Sequence, residues 1–553
     1  MKRRNIIKGL SLLPLGSLVS LKSVLAAPRA DKGLAIPKLF EGLEAGKAAG
    51  PIVIGPKIFQ SIGVEPIINC RGTFTIIGGS IERPEVRAAM EAASKDFVQY
   101  DELAFGIGRR LAELTGAEWG MVSSGCAAAM KHVTASCITG GNPEKLIRIP
   151  DLTGFEKTEV IIPKSSRNTY DHAIRNIGVK IITVDSPEEL TNAISQRTAL
   201  IYLMADEPSN SPQPLSLEAV ASIAKPKNIP ILVDAAAEIL TIPNRHLQRG
   251  ATVVAYSGGK AICGPQCAGL LLGNKNILMA AWQASSPHHG PGRDNKVGRE
   301  EMMGMLAAVE AWGKRDHAAE WKTWLGWLNN ISKKVTTIEG VTALVFEPKD
   351  YSNRSPVLKI SWDPAKLHIN AEELAEEVGR NKPRIAIGSE SKPGVTSVNI
   401  TTGQMQPGND KVVAERIYGI LSQKRSLKST EMTAPSANIT GRWEANIQFF
   451  NGTSPHTLFI EQEGNWLQGS HKGEFSIREL AGTIEGNKLT LRSVDSHTAD
   501  SITFIFSGTI SGDTISGPIY MGEYMTANFT AKRTSYRGKH DPIVVPGGPP
   551  LAT

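Results

Sequence analysis

Val253-Val254-Ala255-Tyr256-Ser257-Gly258-Gly259-Lys260 carries an apolar run into a hydroxyl, two glycines and a lysine. Glycines let backbone approach a bulky ligand closely, because they have no Cβ. A lysine held beside that ligand can attach to a carbonyl as a Schiff base. Earlier in the chain the apolar run Ile231-Leu232-Val233 ends in Asp234. An acid at the carboxyl end of a strand points into the crevice where α/β sheets bind ligands. Earlier still, strand-like residues 119–122 run into Ser123-Ser124-Gly125-Cys126 and an alanine-rich helix. Free N–H groups and the positive end of a helix make such a start a phosphate cradle. Taken singly, each sign has a plainer reading: a solvated loop lysine, a turn-forming acid, an N-cap serine. The ordered trio is far more specific than its parts.

Together the three meet the needs of pyridoxal phosphate. Ser123, Ser124, Gly125 and Cys126 would hold the phosphate, helped by Ser257. Asp234 would pair with the pyridine nitrogen, and Lys260 would carry the cofactor and move protons. Further candidates surround them. Arg167 and Tyr170 follow the run at 160–162, so Tyr170 would flank the cofactor ring and Arg167 would hold an acidic substrate group. Arg71 and Arg384 are candidates for a substrate carboxylate, which arginine binds bidentately. The run His288-His289-Gly290-Pro291-Gly292-Arg293 reads as a mobile loop, from which Arg293 or Lys296 would reach a phosphate across a subunit interface. Solvated loop positions and surface ion pairs are the competing readings for all of these. Cys126, at a helix start, would have a lowered pKa; simple packing against the loop is the alternative.

The elements that must position these residues are legible as pattern. Over residues 67–312, short apolar runs at 160–162, 181–184, 200–204, 231–233 and 252–255 are bounded by turn or polar residues, as buried strands of an α/β sheet are. Val86, Ala89, Met90, Ala93 and Phe97 fall on one helical face. Residues 313–425 mix strands (357–362, 397–400) with helices (371–378, 410–421), a smaller α/β domain. A Ser/Thr/Pro-rich linker spans 426–437. Residues 438–535 then alternate apolar and polar. Turns such as Gly464-Asn465, Gly486-Asn487 and Gly512-Asp513 punctuate them, predicting an antiparallel β-meander that closes as a barrel or a sandwich. Residues 536–553 form a Pro/Gly-rich tail, predicted mobile.

From residue 67 to about 311 the chain resembles the fold-type-I pyridoxal-phosphate enzymes, most of all the selenocysteine synthase and D-glucosaminate-6-phosphate ammonia-lyase branch. The resemblance rests on Ile68-Asn69-Cys70-Arg71-Gly72-Thr73 with Gly78-Gly79-Ser80, on Leu114-Thr115-Gly116-Ala117-Glu118 and on Ser124-Gly125-Cys126-Ala127-Ala128-Ala129. It continues in Val233-Asp234-Ala235-Ala236, in Ser257-Gly258-Gly259-Lys260 with Gly264-Pro265-Gln266, and in Lys296-Val297-Gly298-Arg299-Glu300-Glu301. It implies Lys260 as the Schiff-base lysine, Asp234 as the pyridine partner, a three-layer α/β/α aminotransferase-like large domain, and a homodimer or larger assembly. The Gly-Thr and Gly-Gly-Ser motifs are nearer to the lyase. Arg299 stands where that branch has lysine, and the β domain at 438–535 lies outside the resemblance.

The chain has 553 residues with 41% apolar and 21% charged, the balance of an ordinary globular protein of several domains. Its net charge of +7 is partly local: Lys2, Arg3, Arg4, Lys8 and Lys22 stand in the first 26 residues without an acid. Residues 1–26 therefore read as an export signal, with cleavage after Ala26 or Ala27. Arg3-Arg4-Asn5-Ile6-Ile7-Lys8 resembles the twin-arginine motif, a route for folded cargo. Residues 27–66 are an N-terminal segment. The five cysteines, an odd number, exclude a fully paired disulfide framework, and Cys263 and Cys267 lack zinc-site spacing. The expectation is an exported, periplasmic enzyme with an amino-acid-like small-molecule substrate, no metal, no nucleic-acid partner and no stable membrane span after cleavage. Its reaction would be α-proton abstraction and β-elimination with ammonia release. Other pyridoxal-phosphate reactions (transfer, transamination, racemisation, aldol cleavage) and a non-catalytic carbohydrate- or surface-binding protein using the β domain are the alternatives.

Overall fold

The computed structural model describes residues 50–392, 395–426, 431–496 and 501–535. The predicted export signal, residues 27–49 of the N-terminal segment, residues 427–430 of the linker and the tail at 536–553 lie outside the described residues.

Seven strands form the large sheet: β1 (Trp119–Ser123), β2 (Glu159–Pro163), β3 (Lys180–Val184), β4 (Thr198–Met204), β5 (Ile231–Asp234), β6 (Val253–Ser257) and β7 (Gly269–Gly273). Their order is β1-β7-β6-β5-β4-β2-β3. All neighbours are parallel except β7, which runs antiparallel to β1 and β6. Strands β1, β5 and β7 are buried at every residue. This is why they read as unbroken apolar runs: helices cover both faces, so no face is left to be polar. The helix Gly125–Thr139 lies against the sheet and is buried around almost its whole girth, so it is rich in alanine and lacks a polar stripe. β7 was not foreseen. It fills the place between β1 and β6 and brings the helix start after β1 beside the turn after β6.

The small domain has the antiparallel sheet order Gly388–Lys392, Val395–Thr401, Val357–Trp362, Thr342–Phe346, backed by the helix Ala371–Arg380, with the helix Asn409–Leu421 in the same core. The predicted large domain began too early in one respect. Ile67–Asn69 pairs in parallel with Arg384–Ala386, and Cys70 is buried in the small domain's core. The long helix His317–Val335 packs on Asn409–Leu421.

Residues 441–533 form a closed barrel of eight antiparallel strands in meander order, which decides between the predicted barrel and sandwich. Trp443, Ala445 and Ile447 are buried inside while alternate residues face out. Gly464, Gly486 and Gly512 have φ of +57°, +56° and +59°, the left-handed turn geometry that the Gly-Asn and Gly-Asp signals require. Among the described residues no helix is long and apolar enough to cross a membrane.

Candidate active site

Strand β6 ends at Ser257, whose N–H donates to the Ala236 carbonyl at 3.3 Å. The chain then folds back on itself: Gly258 N–H donates to the Ala268 carbonyl and Gly264 N–H to the Gly258 carbonyl, both at 2.8 Å. A Cβ on Gly258 would stand 2.5 Å from the Pro265 carbonyl oxygen, and one on Gly259 would stand 2.7 Å from Gln266 Cα. Both positions must therefore be glycine for the Gly264-Pro265-Gln266 turn to close over them. That turn fixes where Lys260 leaves the backbone. Its Nζ lies 6.0 Å from the centre of the Tyr170 ring, which is itself largely exposed.

Asp234, at the end of β5, is 5% exposed. Its Oδ1 accepts from Ala236 N–H at 3.0 Å and from the Cys126 thiol at 3.4 Å. Its Oδ2 accepts from the Tyr202 hydroxyl at 3.0 Å, and Asn168 Nδ2 donates to that same hydroxyl at 3.0 Å. A carboxylate has about four acceptor positions, so one remains for a further donor. Cys126 thus faces the acid. Burial, then the Asp234 charge and its hydrogen bond, push the thiol well above its ordinary value, while Lys260 acts weakly the other way. The helix-start argument for a lowered thiol pKa is corrected: desolvation and a neighbouring anion outweigh the helix end.

The helix Gly125–Thr139 begins with no acid in its first turn, and its N-cap Ser124 makes no side-chain capping bond. Its positive end is uncompensated and a hydroxyl beside it is uncommitted. Ser123 is different. It is 1% exposed and its Oγ donates to the Gly125 carbonyl at 2.9 Å, so its hydroxyl shapes the turn. Gly125 has φ of +84°. A Cβ on Gly269 of β7 would meet the Gly125 carbonyl at 2.5 Å, so the helix start sits directly on β7. The donor set fits pyridoxal phosphate. An open anion cradle, a buried carboxylate with spare acceptor capacity and a half-buried lysine stand at the ends of neighbouring strands, with Cys126 of the helix's first turn bonded to Asp234 and the Tyr170 ring 6.0 Å from Lys260 Nζ.

The peripheral candidates fare unevenly. The Arg167 guanidinium is committed to structure: its Nε is 2.6 Å from Asp171 Oδ2 and its Nη1 donates to Thr183 at 3.0 Å, while Arg175 takes the other Asp171 oxygen at 2.9 Å. It was expected at a substrate; a fully buried Asp171 claims it instead, because a buried charge must be paired. Arg384 is likewise spent. Its Nε donates to the Gly379 carbonyl at 2.7 Å, closing the end of the helix Ala371–Arg380. Arg293 and Lys296 are exposed on their loop, where Arg293 Nη1 donates to Ser286 at 3.3 Å. His288 lies 3.2 Å from Asp101. Arg71 is exposed and stacks on Phe74 with 4.5 Å to the ring centre. Asn168 and Tyr202 were missed. Tyr202 carried a signal: a tyrosine inside an otherwise apolar buried strand must find a partner for its hydroxyl.

Residues 103–308 match the family described as Cys/Met metabolism PLP-dependent enzyme. The D-glucosaminate-6-phosphate ammonia lyase of Salmonella typhimurium is 27% identical over 332 residues, 58% of this chain and 87% of the relative. A 5'-C-glycyluridine monooxygenase-decarboxylase from Streptomyces sp is 26% identical over 374 residues, 66% of this chain and 92% of the relative. A solved structure of D-glucosaminate-6-phosphate ammonia-lyase superposes with a TM-score of 0.58 at 25% identity, covering 66% of this chain and 99% of that chain.

Proposed function

We propose that this chain, a member of the fold-type-I pyridoxal-phosphate-dependent enzymes, is a lyase that eliminates a β-substituent from an amino-acid-like or amino-sugar-acid substrate and releases ammonia. The observation that carries the reading is the placing of Lys260, Asp234 and the open helix start at Ser124 at the ends of neighbouring strands of one sheet, with Cys126 of that helix bonded to Asp234, together with the similarity to an ammonia lyase. When bound, the cofactor supplies an electron sink for negative charge at the substrate's α-carbon. The chain's own groups do the rest. The first turn of the helix Gly125–Thr139 and Ser124 would hold the phosphate. Asp234 keeps the pyridine nitrogen protonated, and Tyr202, Cys126 and Ala236 N–H hold that carboxylate in place. Lys260 Nζ would anchor the cofactor and would take the proton from the substrate's α-carbon. The substituent on the β-carbon then leaves with its electron pair, and hydrolysis of the unsaturated amine yields ammonia.

The test is a screen of β-substituted amino acids and amino-sugar acids for ammonia release by the holoprotein. Ammonia formed in step with the keto product is expected. Carbon dioxide without ammonia would favour a second reading, supported by the similar identity to a decarboxylase: cleavage of the bond to the α-carboxylate.

Two further parts of the reading concern where and how the enzyme stands. The basic start with Arg3-Arg4 supports periplasmic delivery through the twin-arginine export machinery, with the cofactor loaded in the cytosol. Replacing Arg3-Arg4 by Lys-Lys is then expected to leave cofactor-bound precursor in the cytosol; fractionation that still finds it exported would remove the proposal. Ile54, Ile76 and Phe97 are 89%, 78% and 95% exposed. Exposed apolar side chains of this kind are ones a homo-oligomer would cover.

A further inference from the structure

A cavity of about 880 Å³ opens between the large and small domains. Its wall includes Ala261, the residue after Lys260, whose carbonyl accepts from Arg315 Nη1 at 3.3 Å. Two other arginines of the wall are held in an unusual way. The Arg71 guanidinium lies over the Phe74 ring, 4.5 Å from its centre, and the Arg354 guanidinium lies over the Trp321 ring at 5.6 Å. All four of these side chains line the cavity. Neither arginine makes a salt bridge or a side-chain hydrogen bond among the described residues. A guanidinium held over a ring by cation–π attraction gives none of its N–H donors to a protein acceptor, and those donors are what fork onto an oxyanion.

The supports are built as well. Trp321 Nε1 donates to Glu347 at 2.6 Å, so the ring beneath Arg354 is fixed. Thr73 Oγ1 donates to Asn353 Oδ1 at 2.7 Å. That bond ties the loop carrying Arg71 to the loop carrying Arg354. Arg315, by contrast, is spent: Glu320 pairs with it and with Arg83, each at 3.0 Å. The carboxylate of Glu320 is therefore neutralised within the wall and does not oppose an incoming anion.

We propose that Arg71 and Arg354 form a two-armed clamp for an oxyanion, a carboxylate or a phosphate monoester, borne by the substrate at the end remote from its reacting carbon. The clamp rests on the reading of Lys260 as the reacting centre. It adds the class of substrate: a dianion with its second charge at the far end, its carbon skeleton lying along the aromatic wall.

The probes are inorganic phosphate and malonate, titrated calorimetrically into the holoprotein at low and high salt. The variants are Arg71→Gln, Arg354→Gln, Arg354→Lys and the double glutamine variant. The wild type is expected to bind at least one probe. Preference for phosphate identifies a phosphate monoester and preference for malonate a carboxylate. Each single glutamine variant is expected to weaken binding about tenfold to a hundredfold, the range of a lost hydrogen bond to a charged group. Arg354→Lys should recover only part, because it restores charge without the fork. The cofactor's visible band reports on the site separately. A retained band with probe binding unchanged in the double variant, or with neither probe bound by the wild type, overturns the clamp alone. A wild type without a band that still binds the probes through Arg71 and Arg354 supports the clamp and overturns the catalytic reading.

Discussion

Lys260→Ala is expected to abolish the visible absorbance band of the cofactor-loaded protein and to lower turnover by at least about a thousandfold, the scale of a positioned acid–base group. The band of the wild type should disappear on borohydride reduction, with the label on Lys260. The size of the effect follows from the geometry. Gly258 and Gly259 are pressed against Pro265 and Gln266, so the backbone at 260 cannot shift to offer another side chain. Lys131 is bound at 2.8 Å to Asp294 and cannot substitute. Cys126, held protonated by its surroundings, is no replacement base. Full turnover by the variant would sink the mechanism. A wild type that shows no band after addition of pyridoxal phosphate would do the same.

The second large effect lies in the barrel and is one of pH. His456 and His471 share a hydrogen bond of 2.6 Å, and His471 Nδ1 pairs with Ser493 Oγ at 2.7 Å. Phe504 and Phe506 pack around the pair, and the Arg478 guanidinium stacks on Phe504. Burial first, then the Arg478 charge, hold His456 down at about 4, with Glu474 opposing. Burial, His456 and Arg478 hold His471 at about 2. Asp495 offsets part of the cation, because its carboxylate is 2.7 Å from Arg478. The unfolded chain takes up these protons near pH 6.5 and the folded barrel does not. Stability is therefore fully present above about 6.5 and falls as pH drops toward 4, at about 1.4 kcal/mol per pH unit for each histidine that titrates only when unfolded. His132 in the large domain is held at about 3 by burial and by Lys131, so it adds to the same trend.

Thermal unfolding followed between pH 7 and pH 4 is expected to show a steep loss of melting temperature. His456→Leu with His471→Leu should flatten the slope, since replacing a buried polar pair by apolar side chains of similar volume is often neutral. A wild-type melting temperature that stays level across that range would refute the assignment. So would a double variant with an unchanged slope.

Much of the site was legible because it is written in local rules. Gly-Gly before Lys260, an acid closing an apolar run at Asp234, and Ser-Gly opening an alanine-rich helix each report a backbone geometry set by a few neighbouring residues. The same holds for the barrel's hairpins, where Gly464, Gly486 and Gly512 were readable as positive-φ positions before any strand was paired. Burial pattern gave the strands of the large sheet for a related reason: a strand covered on both faces must be apolar throughout.

The fate of the polar side chains was decided only by the tertiary structure. Arg167 and Arg384 looked like substrate ligands, since the sequence shows the charge and hides its partner. Asp171 and the Gly379 carbonyl claim them once the chain is folded. Asp234 meets Cys126 and Tyr202, 108 and 32 positions away in the chain, and Thr73 bonds to Asn353, 280 positions away. Whether the meander closed as a barrel likewise depended on the pairing of its first and last strands, Gly441–Phe449 with Thr526–Arg533. By itself the sequence marked Lys260, Asp234 and the helix start at Ser124 as candidates, because each stands at a local backbone state with a characteristic residue. The tertiary structure decided which charges remain free to meet a substrate, because hydrogen bonds and ion pairs are settled by proximity in space, and local sequence carries little record of that.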